Sequence, residues 1–227
     1  MRNLLIIGAS HGIGAAIANL AHNEFQLFSI SRTLPSRQLT THFPCDVLHD
    51  SLPLISEPLA GLVYCPGSIV LKSFSTIKPD EFRQEMEINF FAAVKCLQQY
   101  LPNLQGAESA SVVLFSTVAV KTGFPYHALV AAAKGAIEGL TLSLAAEWAP
   151  RIRVNAIAPS LIETPLSQRL LKDDSKKSAA AARHPLKRVG SADDVAQLAL
   201  FLLSERSSWI SGQILAVDGG VSSLICQ

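Results

Sequence analysis

Leu4-Leu5-Ile6-Ile7-Gly8-Ala9-Ser10-His11-Gly12-Ile13-Gly14 is the stretch whose reading decides the fold. Its first four residues are continuously apolar, as in a strand covered on both faces. Glycines follow at once, and Gly14–Ala21 then has a helical pattern. Glycine suits that junction because the turn is tight and the backbone must come close to a ligand such as a pyrophosphate. A helix beginning near Gly12 would present unpaired N–H groups and its positive dipole end to phosphate oxygens. A glycine loop alone is a weak signal; its place directly after a strand and before a helix strengthens it.

Outward from this junction, short apolar runs alternate with longer helical stretches, the pattern of βαβ units and a parallel sheet. Phe25–Ile30, Gly61–Cys65, Ser111–Phe115, Arg153–Ala158 and Ile214–Val217 are the further strand candidates. Pro79–Tyr100, Ala128–Trp148 and Asp193–Leu203 read as helices. Thr33–Pro44 lacks apolar periodicity and contains Pro35, so it reads as a loop replacing a crossover element. Lys172–Arg183, rich in Lys, Ser and Ala, reads as a mobile surface helix or lid within a substrate loop at about 160–190. The expectation is an α/β fold: a Rossmann-type, doubly wound parallel sheet of about seven strands, helices on both faces, forming one domain over residues 1–227.

Composition narrows the function classes. The chain has 227 residues, 49% hydrophobic and 16% charged, with 19 Lys+Arg against 18 Asp+Glu. A charged share well below the roughly 25% of an average domain suits a protein with a large buried fraction or subunit contacts. The net charge of +1 offers no basic surface for nucleic acid or anionic membrane. Cys45, Cys65, Cys96 and Cys226 have neither CxxC nor close Cys/His spacing, so no metal site and no disulfide framework is expected. Met1–Ser10 meets a glycine too early for a signal peptide or a membrane span. A reduced, soluble, cytoplasmic protein is the expected setting.

The spacing G-x-x-x-G-x-G at Gly8, Gly12 and Gly14 resembles that of the short-chain dehydrogenase/reductase family. Further marks follow in the family's order. They are Cys45-Asp46-Val47, Tyr64-Cys65-Pro66-Gly67, Asn89, Arg153-Val154-Asn155 with Ala158-Pro159, Glu163-Thr164-Pro165, and Gly212 with Asp218-Gly219-Gly220. Tyr64-Cys65-Pro66-Gly67 stands where the family usually has Asn-Asn-Ala-Gly, and the resemblance covers almost the whole chain. It implies that a nicotinamide dinucleotide contacts Gly8, Ser10, His11, Gly12, Ile13, Gly14, Asp46, Val47, Pro66, Gly67, Lys134, Pro159, Ile162 and Thr164.

Which dinucleotide is bound turns on the end of the second strand. In such folds an acid roughly 20 residues beyond the glycines binds the adenosine ribose and selects NAD. No acidic residue occurs here between Glu24 and Asp46, and the strand ends at Ser31-Arg32. A guanidinium can pair with a 2′-phosphate at two points, and His11 could add a donor. NADP(H) is therefore expected over NAD(H), which remains possible.

The resemblance also implies a catalytic set. A family tyrosine gives a proton to the carbonyl oxygen, a lysine four residues later holds the nicotinamide ribose, and a serine steadies the oxygen. Here Lys134 matches the lysine and Thr117 the serine, 13 residues before Val130. Val130 itself stands where the tyrosine would be, and valine cannot give or take a proton. Asn89 matches the residue that interrupts its helix and holds a water linked to the lysine. Ser116 is a lesser stand-in for Thr117. Three substitutes for the acid remain open. Tyr126 lies one turn before Val130 on a helix that Pro125 would start, His127 carries an imidazole that can pass a proton if its ring reaches the site, and a water or Lys134 itself could act. His184, Lys187 and Arg188, near the end of the substrate loop, read as solvated surface.

Two functions follow from this set. One is an NADP(H)-linked oxidoreductase on a small carbonyl/alcohol pair with a modified proton route; the other is a catalytically weak dinucleotide-binding protein on the same fold. Small residues Ala131, Ala132, Ala133, Gly135, Ala136 and Gly139 on one helix, beside Pro79–Tyr100, point to a homodimer or homotetramer.

Overall fold

The computed structural model describes residues 1–35 and 40–225. Seven strands form one parallel sheet: β1 (Arg2–Ile7), β2 (Phe25–Ser31), β3 (Thr40–Pro44), β4 (Gly61–Tyr64), β5 (Ala110–Phe115), β6 (Ile152–Pro159) and a final strand, Ile214–Val217. Between the last two come the short strands β7 (Ile162–Glu163) and β8 (Gly190–Ser191), which pair with each other, so Ile214–Val217 is β9. The sheet order is β3-β2-β1-β4-β5-β6-β9. The winding reverses between β1 and β4, and in open α/β sheets ligands sit beyond the strand ends at such a switch point.

Both faces of the sheet are covered. Leu5 and Ile7 point into a core layer with Leu62, Leu97, Tyr100, Val112 and Ile137, under α3 (Ala92–Gln105) and α4 (Ala128–Trp148). Their neighbours Leu4 and Ile6 point the opposite way, into a layer with Ile17, Val63, Val195, Ala199 and Leu203. That second layer lies under α1 (Gly12–Ala21) and α6 (Ala192–Leu203). Period-2 alternation with apolar residues at every position is what a doubly covered strand requires.

Thr40–Pro44 corrects the reading of Thr33–Pro44 as a loop. Its backbone pairs with Leu27–Ser31 of β2, His42 Nδ1 lies 3.0 Å from Ser29 Oγ, and Phe43 packs on the core. Thr40, Thr41 and His42 show no apolar alternation, so only the neighbouring strand's unpaired backbone reveals this edge. Residues 36–39 of that stretch lie outside the described residues.

The helix read over Pro79–Tyr100 is three pieces: α2 (Pro79–Met86), a π turn at Glu87–Phe91, and α3. Asn89 sits inside the π turn, and its Nδ2 donates to the Glu85 carbonyl at 3.0 Å. A side chain that competes for the preceding turn's carbonyl loosens the ladder there, so Asn89 interrupts its helix as expected. Lys172–Arg183 contains α5 (Asp174–Arg183), whose N-cap Asp173 accepts from Lys176 N at 2.8 Å. Glu163 pairs with Lys177 at 2.7 Å, tying β7 to α5.

Arg153 and Asn155 of β6 act as structural clips. The Arg153 guanidinium donates to the Leu202 and Ser204 carbonyls and to Ser207 Oγ. Asn155 Nδ2 donates to the Ile210 carbonyl while its Oδ1 accepts from Gln213 N. Among the described residues, α4 alone is long and apolar enough to cross a membrane; in this fold it packs along β6 and β5.

Candidate functional site

The first glycine turn has the geometry that a diphosphate needs. Gly12 takes φ +55°, a left-handed conformation that side chains disfavour, and it starts α1. Gly14 leaves no room at all: a Cβ there would stand 2.2 Å from the Gly8 carbonyl oxygen. His11, the N-cap, makes no side-chain cap bond, and the first turn holds no acid. The N–H groups at the mouth of α1 therefore keep their capacity for an external anion. Instead of capping, His11 Nδ1 lies 3.0 Å from Ser10 Oγ, and Ile13 packs beside the core. Across the cleft, Thr164 Cβ comes within 3.4 Å of where a Gly12 Cβ would be, so Thr164 walls the mouth. The residues present fit a dinucleotide diphosphate.

At the ends of β2 and β3, Ser31 is buried with its Oγ donating to the Thr33 carbonyl, and Arg32 is exposed. Cys45 N donates to the Ser31 carbonyl, which brings Asp46 and Val47 beside the end of β2. Asp46 Oδ1 accepts from Leu48 N at 3.0 Å, shaping the turn, and Val47 is buried. These four residues thus share one edge of the cleft.

Beyond β4 the chain gathers Pro66, Gly67, Asn89 and Lys134. A Cβ on Gly67 would lie 2.9 Å from Asn89 Oδ1 and 3.5 Å from Lys134 Nζ, which shows how closely those groups converge. Asn89 is fully buried, and its Nδ2 donates to Ser68 Oγ at 3.0 Å and to Glu85 Oε1 at 3.1 Å. Lys134 is buried as well, and desolvation holds its ammonium down to about 8 despite the Glu85 carboxylate opposing the shift. Among the described residues its Nζ has no hydrogen-bond partner. Burial pushes the Glu85 carboxyl up, and bonds from Ser68 and Asn89 with the charge of Lys134 pull it back. Burial also pushes the Cys65 thiol up to about 12, so it is no nucleophile near neutral pH.

Thr117 opens the 3-10 turn Val118–Val120, accepting from Ala119 N at 3.3 Å and standing 3.5 Å from the Pro159 carbonyl. Ser116 turns the other way: its Oγ donates to Glu138 Oε1 at 2.6 Å, which removes it as a stand-in for Thr117. Val130 is buried on α4.

Two sequence expectations need correction here. The helix begins at Ala128, not Pro125, so Tyr126 does not sit one helical turn before Val130. Tyr126 has φ +69° in a turn, is 63% exposed, and its carbonyl accepts from Lys72 N. His127 is the helix N-cap, with Nδ1 2.7 Å from the Pro125 carbonyl and its ring on Phe124. Neither is brought to Lys134 by any contact. His184 is buried, not solvated: Nδ1 donates to the Ala180 carbonyl at 2.8 Å, which leaves Nε2 to accept from Ser160 Oγ at 2.9 Å. Of its neighbours, Arg188 pairs with Asp194 and Lys187 is exposed at φ +55°.

The substrate loop borders a cavity of about 360 Å³ lined by Ser160, Ile162, His184, Arg188, Asp218 and Gly219, among others. No cluster of metal-ligating side chains occurs among the described residues. Glu85 and Ser68 are the site residues that the sequence reading missed. The signal was present in the spacing, since Glu85 lies one helical turn before Asn89, but the charged run Asp80–Glu87 reads as a solvated face.

Fold and site define a doubly wound α/β domain built around a tight glycine turn at a helix mouth and a buried lysine. Residues 56–222 match the family model described as enoyl-(acyl carrier protein) reductase. A tropinone reductase homologue of Arabidopsis thaliana is 34% identical, covering 97% of this chain and 92% of its own length. An inactive 2-(S)-hydroxypropyl-CoM dehydrogenase 2 of Xanthobacter autotrophicus is 34% identical over 74% of this chain and 75% of its own. Among solved structures, the ligand-free aldohexose dehydrogenase of Thermoplasma acidophilum superposes with a TM-score of 0.89 at 26% identity, covering 99% of this chain and 95% of that one. ElxO with NADP bound reaches 0.86 at 25% identity, over 98% and 99%. The chain belongs to the short-chain dehydrogenase/reductase family of oxidoreductases.

Proposed function

We propose that this protein is an NADP(H)-dependent oxidoreductase that interconverts a small carbonyl and its alcohol, with a proton route that does not use a tyrosine. The observation that carries the reading is the buried Lys134 ammonium, its Nζ free of hydrogen bonds among the described residues, converging with Asn89 of the π turn on Gly67 beyond β4. When bound, the nicotinamide cofactor supplies and accepts hydride. Gly8, Ser10, Gly12, Ile13 and Gly14 bind its diphosphate through the mouth of α1, and Thr164 closes the far side. Ser31 and Arg32 receive the 2′-phosphate, which supports NADP(H) over NAD(H). Pro159 and Ile162 border the nicotinamide end, and the segment from 160 to 190 serves as substrate loop.

Lys134 donates to ribose hydroxyls and holds a proton near the reacting oxygen, while Thr117 offers that oxygen a hydroxyl. Val130 takes the family's tyrosine position and contributes only apolar packing. Exposure of Tyr126 favours the Lys134 or water route over a substitute phenol. The second reading, a dinucleotide-binding protein with little chemistry, draws on Val130 and on a relative that itself carries the word inactive in its name. Self-association through α4 and α3 also belongs to this proposal, because Leu142 on α4 and Phe91 at the end of the π turn that leads into α3 stand half exposed.

A screen of NADPH oxidation against aldehydes, ketones, quinones and 3-oxoacyl thioesters tests the reading. Turnover by the wild-type protein is expected. Binding of NADPH without turnover on any of them, with turnover appearing only in Val130→Tyr, would establish the second reading instead.

A further inference from the structure

Lys134 and Glu85 are buried groups of opposite charge that act on each other across Asn89, with no direct salt bridge between them among the described residues, and the family pattern quoted above does not include Glu85. Glu85 is 3% exposed and Lys134 8%, on α2 and α4, two helices that pack together. Asn89 stands between them. Its Nδ2 holds Glu85 Oε1 at 3.1 Å, and its Oδ1 shares with Lys134 Nζ the space above Gly67. Ser68, at 3.0 Å from the same Nδ2, completes the enclosure of the carboxylate.

The charges facing this pair are few. Toward Lys134 come the Glu85 carboxylate from α2 and the Cys65 thiol from the loop after β4. Toward Glu85 comes the Lys134 ammonium, with Ser68 and Asn89 as its hydrogen-bonding neighbours. Glu138, one turn beyond Lys134 on α4, is engaged by Ser116 instead. A buried carboxylate without a partner costs several kcal/mol, so such a group persists where a cation answers it. A buried lysine likewise tends to discard its proton. Val130, one turn before Lys134 on the same face of α4, can neither donate nor accept.

We propose that Glu85 is a positioning residue: it is the buried counter-charge that keeps Lys134 protonated, so that Lys134 supplies the proton which Val130 cannot. This deepens the oxidoreductase reading and rests on it. With a reduced nicotinamide bound, the carbonyl carbon would accept one hydride, the C=O π pair would move onto oxygen, the Lys134 N–H bond would break and an O–H bond would form on the substrate. The amine left neutral regains a proton from water, and the Glu85 charge restores the ammonium. In the opposite direction the same neutral amine accepts the alcohol proton.

The test begins without cofactor, so its failure is separable from failure of the wider reading. The Lys134 Nζ resonance is followed by NMR against pH in 15N-lysine-labelled protein, assigned with Lys134→Met. Glu85→Gln keeps the side-chain volume and should lower the lysine's midpoint by about one unit, a tenfold change in proton affinity. Glu85→Asp, which keeps the charge, should restore most of it. Ser68→Ala removes a hydrogen bond but no charge, and should move it far less. In wild-type protein the Glu85 carboxyl carbon should shift in step with Lys134 deprotonation, which needs no variant to fold. With NADPH present, the alkaline limb of kcat should move down in Glu85→Gln by the same amount as the apo midpoint. A folded Glu85→Gln protein with the wild-type Lys134 midpoint would overturn the proposal. So would a wild-type Glu85 signal that ignores Lys134. Loss of NADPH binding in wild type, with the coupled titration intact, would overturn the oxidoreductase reading and leave the charge pair standing.

Discussion

Gly14→Ala probes the phosphate turn more directly than any ligand-facing change. The added Cβ would meet the Gly8 carbonyl oxygen at 2.2 Å, its carbon at 2.9 Å and Ala9 Cα at 3.3 Å. All three are backbone atoms, so no rotamer can move aside. Relief requires the turn between β1 and α1 to open until the first contact passes 3.0 Å, a displacement of roughly an ångström. Overpacking of this kind costs about 1–3 kcal/mol. At about 2–4 °C per kcal/mol for a chain of this size, the melting temperature should drop by several degrees. The shift also carries the N–H groups at the mouth of α1 away from the proposed diphosphate position, and each charge-assisted hydrogen bond lost there costs about 1.5–3 kcal/mol, roughly 10–100-fold in affinity. Calorimetric titration with NADPH and NADH, beside a thermal melt, reads both effects. Gly12→Ala is the comparison: its φ of +55° strains an alanine by about 1–2 kcal/mol, but its nearest contact is Thr164 at 3.4 Å. Gly14→Ala should therefore lose more affinity than Gly12→Ala. A Gly14→Ala protein with wild-type melting and wild-type affinity would refute the steric reasoning and the assignment of this turn to the diphosphate.

Burial holds Lys134 near 8, below lysine's ordinary 10.5, and on the proposed reading its ammonium is the form that would bind ribose hydroxyls. NADPH affinity should thus be full below pH 8 and fall up to about tenfold per unit above it, measured by nucleotide fluorescence. The same group affects folding with the opposite sign: between about 8 and 10.5 the unfolded chain binds more protons, so its contribution to stability rises with pH there. Arg32→Ala should weaken NADPH about 10–100-fold with little change for NADH, as one charge-assisted contact is worth about 1.5–3 kcal/mol; equal losses for both nucleotides would remove Arg32 from the 2′-phosphate. Asn155→Ala removes the two hydrogen bonds that this fully buried side chain makes to Gln213 N and the Ile210 carbonyl, and a chemical denaturation midpoint should report a loss of about 1–3 kcal/mol. Gly139 has nothing within 4 Å in the single chain, so Gly139→Glu should leave the melt of a monomer intact. In sedimentation it should dissociate an assembly built on α4, and an unchanged sedimentation coefficient would place the contact elsewhere.

The phosphate turn was legible because its constraints are local. A continuous apolar run, glycines where a Cβ or an ordinary φ is forbidden, and a helix start are all written within Leu4–Gly14. The central strands were legible for a related reason: burial on both faces makes each one apolar at every position, and no polar alternation blurs its limits. What the chain could not disclose by itself depends on partners distant in sequence. β3 exists because β2 offers it a ladder, and its own Thr40-Thr41-His42 advertises nothing. Tyr126 could not be placed while the helix start was open, since one left-handed residue turns it away from Lys134 into solvent. His184 reads as a surface histidine until Ser160, 24 residues earlier, is found against it. Glu85 is the sharpest instance: within its own segment it is one charge among several, and only the packing of α2 on α4 sets it opposite Lys134. Local stereochemistry determined the glycine turn and the sheet; long-range packing, where solvent is excluded and charges must find each other, decided which side chains gather around Lys134.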